Sequence, residues 1–206
     1  MTWITTIPYE DAEEDLRQTY DRVAGKGQQI DNILMAHSLR PHTLVGHMTL
    51  YKSVLHHYGN KIPKSFLEVV GVLVSTLNQC RYCVDHHATG LRRLVNNDAL
   101  FDAMMEQVSA MVKTSSCDEQ VFSPQEQTAM RYAKLLTQTP DLVSAESIDT
   151  LRKTGLDDGE ILEINQVVAY FCYANRTVLG LGVTTSGEEL GLSPGDSDDP
   201  ENWSHG

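Results

Sequence analysis

The residues best suited to chemistry are two thiols and an imidazole, Cys80, Cys83 and His87. On an α-helix, which turns about 100° per residue, their side chains fall within about 60° of one another, and Cys83 lies one turn from each of the others. A cysteine reacts as its thiolate, which a helix N-terminus or a neighbouring histidine stabilises. The spacing therefore predicts a reactive thiol pair assisted by His87 rather than by His86, which lies about 120° from Cys80.

Glu68 is a carboxylate in an otherwise apolar segment, twelve residues before Cys80. On an uninterrupted helix Glu68 would lie about 120° away from Cys80. A chain break near Asn78, which is also a good N-cap for a following helix, would let Glu68 face the thiols as a base. The sequence alone does not show whether the chain folds back at this point.

The cysteine pair also fits two purely structural roles. The cysteines could be ordinary core residues, or they could hold a structural zinc ion. Structural zinc takes four protein ligands as a rule, and the sequence contains no second C-x-x-C and no H-x-x-x-H. We therefore predict no metal and no bound cofactor.

Helical periodicity runs through nearly every long segment, and no pair of alternating runs joined by a tight turn suggests a hairpin. Prolines in first turns, capping residues and terminal glycines set the expected helix bounds. The predicted helices are 10–24, 41–58, 63–77, 79–94, 98–112, 124–137, 144–153 and 158–178. The sequence predicts an all-α protein.

We expect one domain over residues 1–186, with a redox unit at about 41–112 and a second half at about 123–183. Segments 67–77 and 162–172 share their apolar positions and both begin with Leu-Glu. This internal similarity fits a duplicated helical unit, or it reflects the common composition of two buried helices.

Charge is unevenly distributed. The chain has 28 acidic against 16 basic residues, a net charge of −12, and residues 187–206 contain six acids and no Lys or Arg. An acidic chain without a basic cluster repels nucleic acid. The final stretch is poor in apolar residues, so we predict that 187–206 is a mobile tail.

The compartment is predicted from what the sequence lacks. Five acids lie at positions 10–15, where a signal peptide would be apolar, and no apolar run approaches the roughly 18 residues of a membrane span. We expect a cytoplasmic protein without membrane contact, in which structural disulfides are rare.

The remaining histidines and cysteines give weaker signals. His37, His42 and His47 recur every five residues, which spreads them around a helix, so we interpret them as surface or packing residues. Cys117 and Cys172 are interpreted as incidental thiols.

The string S-x-x-N-x-C-x-Y-C-x-x-x-H, from Ser75 to His87, resembles the alkylhydroperoxidase D-like branch of the carboxymuconolactone decarboxylase superfamily. Glu68 precedes the string at the matching distance, and EILEINQVVAYFCYANRTVLGLGV at 160–183 is similar to that group's second core helix. The N-terminal region, with IPYEDA, resembles its peroxidase-related subset. The resemblance covers residues 1 to about 185 and implies an all-helical bundle with two related halves.

The resemblance also implies roles. Cys83 matches the thiol that attacks peroxide, Cys80 the resolving thiol and proton donor, and His87 with Glu68 the proton relay. Helix geometry alone would favour Cys80 as the attacking thiol, because it lies nearer the positive end of the helix dipole. Tyr82 replaces a histidine that the prototype carries between its cysteines, and it is a possible accessory residue. With a reference pKa near 10, its phenol is a poor base at neutral pH.

The leading hypothesis is a thiol-dependent peroxidase that reduces a small hydroperoxide and is restored by an external thiol or dithiol. The alternative is a non-catalytic oligomeric redox sensor that uses the same cysteines. Apolar residues on several sides of 63–77 and 160–181 predict a homo-oligomer, as relatives also suggest.

Overall fold

The structure, a computed structural model, describes residues 2–25, 28–194, 199 and 202–204. Within these residues the chain forms α-helices and short 3-10 turns and contains no β-strand, which confirms the all-α prediction. The helices are α1 (Glu14–Val23), α2 (Asn32–Met35), α3 (Pro41–Leu55), α4 (Lys64–Leu77), α5 (Arg81–Val95), α6 (Asp98–Thr114), α7 (Pro124–Gln138), α8 (Ala145–Lys153) and α9 (Asp158–Leu181).

Capping residues set several helix starts as the sequence predicts. Asn97 accepts a hydrogen bond from the Leu100 amide at the start of α6. Ser123 and Glu126 form a capping box at the start of α7, in which each side chain bonds the other residue's backbone amide. The four-residue helix α2 is too short to show a period, and the sequence pattern does not predict it.

Helix α4 is the centre of the fold. Every residue from Phe66 to Ser75 is buried, and α4 packs against α5, α6, α7 and α9. Among these ten residues only Glu68 carries a charge. Because an isolated buried charge is costly, Glu68 needs a partner.

The link from α4 to α5 differs from the prediction. Asn78 ends α4 instead of capping α5, and Gln79 adopts a left-handed φ of 57° that turns the chain. Cys80 is the N-cap residue of α5, and its amide donates to the Ser75 carbonyl at 2.9 Å. A left-handed residue other than glycine has no clear sequence signal, so the helix begins two residues later than predicted.

Beyond α9 the chain crosses α2 and α5 as a segment that we call the C-terminal strap, residues 184–194. The Asn32 amide group donates to the carbonyls of Thr184 and Ser186, at 2.7 and 3.1 Å. Arg93 donates to the Gly191 carbonyl at 3.0 Å. The strap is thus attached to the helices by polar contacts.

The strap differs from the mobile tail predicted for 187–206. That prediction considered only apolar content, whereas residues 187–194 are anchored by hydrogen bonds to α2 and α5. Further along, Trp203 is buried and the Arg22 guanidinium lies 3.6 Å from the centre of its ring. Residues 195–198, 200–201 and 205–206 of the predicted tail lie outside the described residues.

In the described part of the chain, no helix has both the length and the apolar character that crossing a membrane requires.

Candidate active site

Glu68 and His87 form the polar centre of the site. The turn at Gln79 folds α5 back along α4, and Nδ1 of His87 lies 2.8 Å from Oε2 of Glu68. Burial alone would raise the pKa of Glu68, but the charge and the hydrogen bond of His87 outweigh it and hold that pKa below its usual value. When Nδ1 donates to the carboxylate, Nε2 of the neutral ring is left as a proton acceptor.

Aromatic rings fix the orientation of His87. The rings of Phe171 and Tyr51 contact it edge-on, with centroids 4.6 and 6.2 Å away. Phe171 reaches this position because it packs over Gly71 of α4, where a β-carbon would lie 2.3 Å from the ring. The absence of a side chain at Gly71 therefore helps to position the imidazole.

The two thiols occupy different environments. Cys80 is completely buried, and Cys83, in the first turn of α5, is 3% exposed. Their mutual hydrogen bond lowers the pKa of Cys80, against the opposing effect of burial. The same bond, together with burial, raises the pKa of Cys83 well above its usual value. When the reduced pair loses a proton, these shifts and the N-terminus of α5 favour the thiolate on Cys80.

Asn175 of α9 supports the thiol pair from the opposite helix. Its amide hydrogen-bonds to both sulfurs, which lowers the pKa of each thiol. It also donates to the Ser75 hydroxyl at 3.1 Å and accepts from the amide of Asn78 at 2.9 Å. Asn175 and Ser75 are completely buried, so this network is rigidly placed.

A cavity of about 50 Å³ lies between the polar pair and the first turn of α5. Glu68, Cys83 and His87 line it, whereas Cys80 does not. Since a water molecule needs roughly 10–15 Å³ of such volume, the cavity holds a few water-sized groups. Cys83 is therefore the thiol that a small molecule in the cavity would meet.

The strap forms one wall of the cavity through Gly191, Leu192 and Ser193. Its anchor is Glu188, whose side chain is 5% exposed and lies 3.1 Å from Nε2 of His86. The same carboxylate accepts hydrogen bonds from the backbone amide of Asn32 at 2.6 Å and from the Tyr82 hydroxyl at 3.2 Å. The sequence assigns no role to Glu188, because the surrounding stretch shows no periodic pattern.

Tyr82 lines the cavity with its ring, but its hydroxyl is used by the strap. It donates to Glu188 and accepts from the Ile33 amide at 3.2 Å. Burial and the charge of Glu188 raise the pKa of Tyr82 well above its usual value. The phenol therefore stays protonated and anchors the strap.

His47 lies at the site rather than on the surface. It is 3% exposed and lines the cavity together with Tyr170 of α9. A sequence signal exists, because His47 shares the buried face of α3 with Leu44, Met48 and Tyr51, at helical spacings of three, one and four. The five-residue spacing of His37, His42 and His47 instead suggests side chains spread around the helix.

Within the described residues, no three His, Cys, Asp or Glu side chains form a group that could hold a metal ion. Cys117 and Cys172 are free thiols, and neither lines the cavity.

Comparison with known proteins gives matches among solved structures. No family model and no curated protein matches the sequence. The chain is similar to an uncharacterized peroxidase-related protein from Ralstonia eutropha JMP134, described as an alkylhydroperoxidase AhpD core. The TM-score is 0.73 at 20% identity, over 90% of this chain and 93% of that one.

Two further structures have the same architecture. A peroxidase-related protein from Silicibacter sp. TM1040 matches with a TM-score of 0.70 at 20% identity, over 90% of this chain and 92% of that one. A cysteine-to-alanine variant of the debrominase Bmp8, in complex with 2,3,4-tribromopyrrole, matches with a TM-score of 0.67 at 19% identity, over 91% and 93%. The chain therefore has the all-helical fold of the alkylhydroperoxidase AhpD core.

Proposed function

We propose that the protein is a thiol-dependent peroxidase that reduces small hydroperoxides through a Cys80–Cys83 disulfide cycle. One observation carries the proposal. Of the two thiols, only Cys83 lines the cavity that it shares with the Glu68–His87 pair. The likeness to peroxidase-related structures supports the same class of chemistry.

The first step oxidises Cys83. Its proton moves across the hydrogen bond to the Cys80 thiolate, and the new Cys83 thiolate attacks the terminal oxygen of the peroxide. The O–O bond breaks, Cys83 becomes a sulfenic acid, and the other oxygen leaves as an alcohol or water after taking up a proton. The cavity size favours hydrogen peroxide or a short alkyl hydroperoxide.

The second step forms the disulfide. Cys80 gives its proton to the His87–Glu68 relay and attacks the sulfur of the Cys83 sulfenic acid. Hydroxide leaves and becomes water with the proton that His87 returns. An external thiol or dithiol then reduces the disulfide, with no bound cofactor.

Steady-state consumption of hydrogen peroxide in the presence of dithiothreitol tests this function. We expect many turnovers per chain, lost in Cys83→Ser. A single oxidation event per chain without turnover would favour the alternative, a non-catalytic redox sensor that uses the same pair.

We also propose a homo-oligomer, on one of the two helices that the sequence argument names. The apolar sides of α4 are covered by other helices. Exposed apolar side chains do lie on α9 and near the N-terminus, at Leu162, Tyr173, Leu179 and Trp3. Light scattering that shows a 23 kDa particle at micromolar concentration would contradict an oligomer.

A further inference from the structure

Tyr170 and His47 form a second polar pair in the wall of the Cys83 cavity. Tyr170 is 4% exposed, and its hydroxyl lies 3.5 Å from Nε2 of His47. The Tyr170 ring stacks on Tyr51 with centroids 5.4 Å apart and meets Phe171 edge-on at 5.3 Å. The hydroxyl is therefore carried by a ring that its neighbours hold in place.

Tyr170 remains a hydrogen-bond donor across the physiological pH range. Burial raises its pKa well above the usual value, and a negative charge on Cys83 raises it further. Tyr170 and Cys83 line the same cavity. A protonated phenol is thus part of the wall around the place where peroxide chemistry would occur.

The reaction requires such a donor. When the Cys83 thiolate takes the terminal oxygen of a peroxide, the departing oxygen carries the negative charge, and alkoxide or hydroxide is a poor leaving group. Protonation of that oxygen during bond cleavage lowers the barrier. The Glu68–His87 pair serves the thiols, and Cys80, which receives the Cys83 proton, does not line the cavity. A donor for the leaving oxygen must therefore be another group in the cavity wall.

The other cavity tyrosines are less suited. The Tyr82 hydroxyl is engaged with Glu188 and the Ile33 amide. The Tyr51 ring meets the His87 ring edge-on, with centroids 6.2 Å apart, so Tyr51 lies on the relay side of the cavity.

Given the proposed peroxidase function, on which this inference rests, we propose that Tyr170 is the catalytic acid that protonates the departing oxygen and that His47 positions its hydroxyl. The O–H bond of Tyr170 breaks as the new O–H bond of the alcohol or water forms. The phenolate then recovers its proton from a water molecule that enters the cavity as the product leaves, while His47 holds the phenolic oxygen in place. No electrons pass through the pair, since the O–O bond is reduced by Cys83 alone.

The test compares two oxidants whose leaving groups differ. Single-turnover loss of hydrogen peroxide and of peracetic acid is measured with the reduced full-length chain, as wild type and as Tyr170→Phe. Phenylalanine keeps the ring packing and removes only the hydroxyl. We expect hydrogen peroxide to react roughly 10²-fold more slowly, the lower range of general acid catalysis. Peracetic acid should change less than about 3-fold, because acetate leaves without protonation.

Two further variants make the test specific. Tyr173→Phe removes a hydroxyl from the same helix but outside the cavity, and both oxidants should react as with the wild type. His47→Gln should also slow the reaction with hydrogen peroxide more than the reaction with peracetic acid, to a smaller extent than Tyr170→Phe. If Tyr170→Phe does not fold, His47→Gln takes its place in the test.

An equal slowing of both oxidants in Tyr170→Phe, or no slowing of either, would overturn the role of Tyr170 while leaving the peroxidase intact. A wild-type chain that consumes neither oxidant would overturn the peroxidase function, and this assignment with it.

Discussion

Gly71 of α4 and Phe171 of α9 lie so close together that a β-carbon at Gly71 would fall 2.3 Å from two atoms of the ring. Gly71→Ala should therefore destabilise the fold by about 1–3 kcal/mol, the usual cost of overpacking a core. It should also slow disulfide formation, because Phe171 would move away from His87. Urea unfolding measures the first effect, and mass spectrometry of the disulfide formed after one equivalent of peroxide measures the second.

Gly46→Ala is the matched control. Gly46 also lies within a helix, α3, but a β-carbon there would have no atom within 4 Å. Gly46→Ala should stabilise the fold by roughly 0.5–1 kcal/mol, since glycine is unfavourable inside a helix. Equal effects of the two substitutions would show that Phe171 does not depend on Gly71.

Cys80→Ser and Cys83→Ser should behave differently after one equivalent of peroxide. Cys80→Ser should leave a sulfenic acid on Cys83 that dimedone traps, formed more slowly than in the wild type because the Cys80 thiolate no longer accepts the proton. Cys83→Ser should leave Cys80 reduced, because Cys80 is completely buried and does not line the cavity. Mass spectrometry distinguishes the products, and rapid oxidation of Cys80 in Cys83→Ser would reverse the assignment.

Glu68→Gln should reduce stability in a pH-dependent way. The pKa of Glu68 in the folded chain lies below its ordinary value of 4.5, so its ionisation stabilises the fold above that pH. This contribution is lost as the pH falls through the folded pKa. At pH 7 the variant should be less stable by roughly 1.5–3 kcal/mol, the worth of a hydrogen bond to a charged group.

Urea unfolding of wild type and Glu68→Gln at pH 7 and pH 3.5 checks this expectation, and the difference between them should shrink at the lower pH. A difference that is the same at both values would mean that the Glu68 charge contributes nothing. Disulfide formation after one equivalent of peroxide should also slow at neutral pH in Glu68→Gln and in His87→Ala, because both disable the relay that takes the Cys80 proton.

Glu188→Gln should loosen the C-terminal strap. The carboxylate accepts hydrogen bonds from Asn32, Tyr82 and His86, and bonds to a charged group are worth roughly 1.5–3 kcal/mol each. Loss of one such bond should speed hydrogen exchange of the strap amides about tenfold or more. The oxidised protein should also react faster with bulky thiols.

Glu189→Gln is the control for the strap. Glu189 is the adjacent residue, but its side chain is 60% exposed and pairs with Arg93 at 3.4 Å. An exposed pair contributes about 0–1 kcal/mol, so strap exchange should change little. If both variants accelerate exchange equally, the buried carboxylate is not the anchor.

The helices and the polar pair follow from local signals in the sequence, with some shifts. Capping residues and apolar stripes predict most helix bounds, because these signals act within a few residues. The contact between Glu68 and His87 depends on the turn at Gln79, whose left-handed backbone is set by packing. The sequence therefore identifies Glu68 and His87 as candidates, but it does not predict that α5 folds back against α4.

The rest of the cavity wall could not be predicted from local pattern. Tyr170 and His47 are separated by 123 positions, and Glu188 and His86 by 102. Such contacts depend on how α9 and the strap cross the other helices, which no periodicity encodes. His47 is the exception, since its position on the buried face of α3 follows from the helical spacing.

The anchoring of Glu188 changes how sequence variation in this chain should be interpreted. A chain shortened after residue 186 would keep the whole cysteine motif and every long helix, yet it would lose Gly191, Leu192 and Ser193 from the cavity wall. Substitutions in the acidic stretch around Glu188 are therefore substitutions in the candidate active site. A comparison of related chains that stops at the last helix would overlook the residues that enclose Cys83.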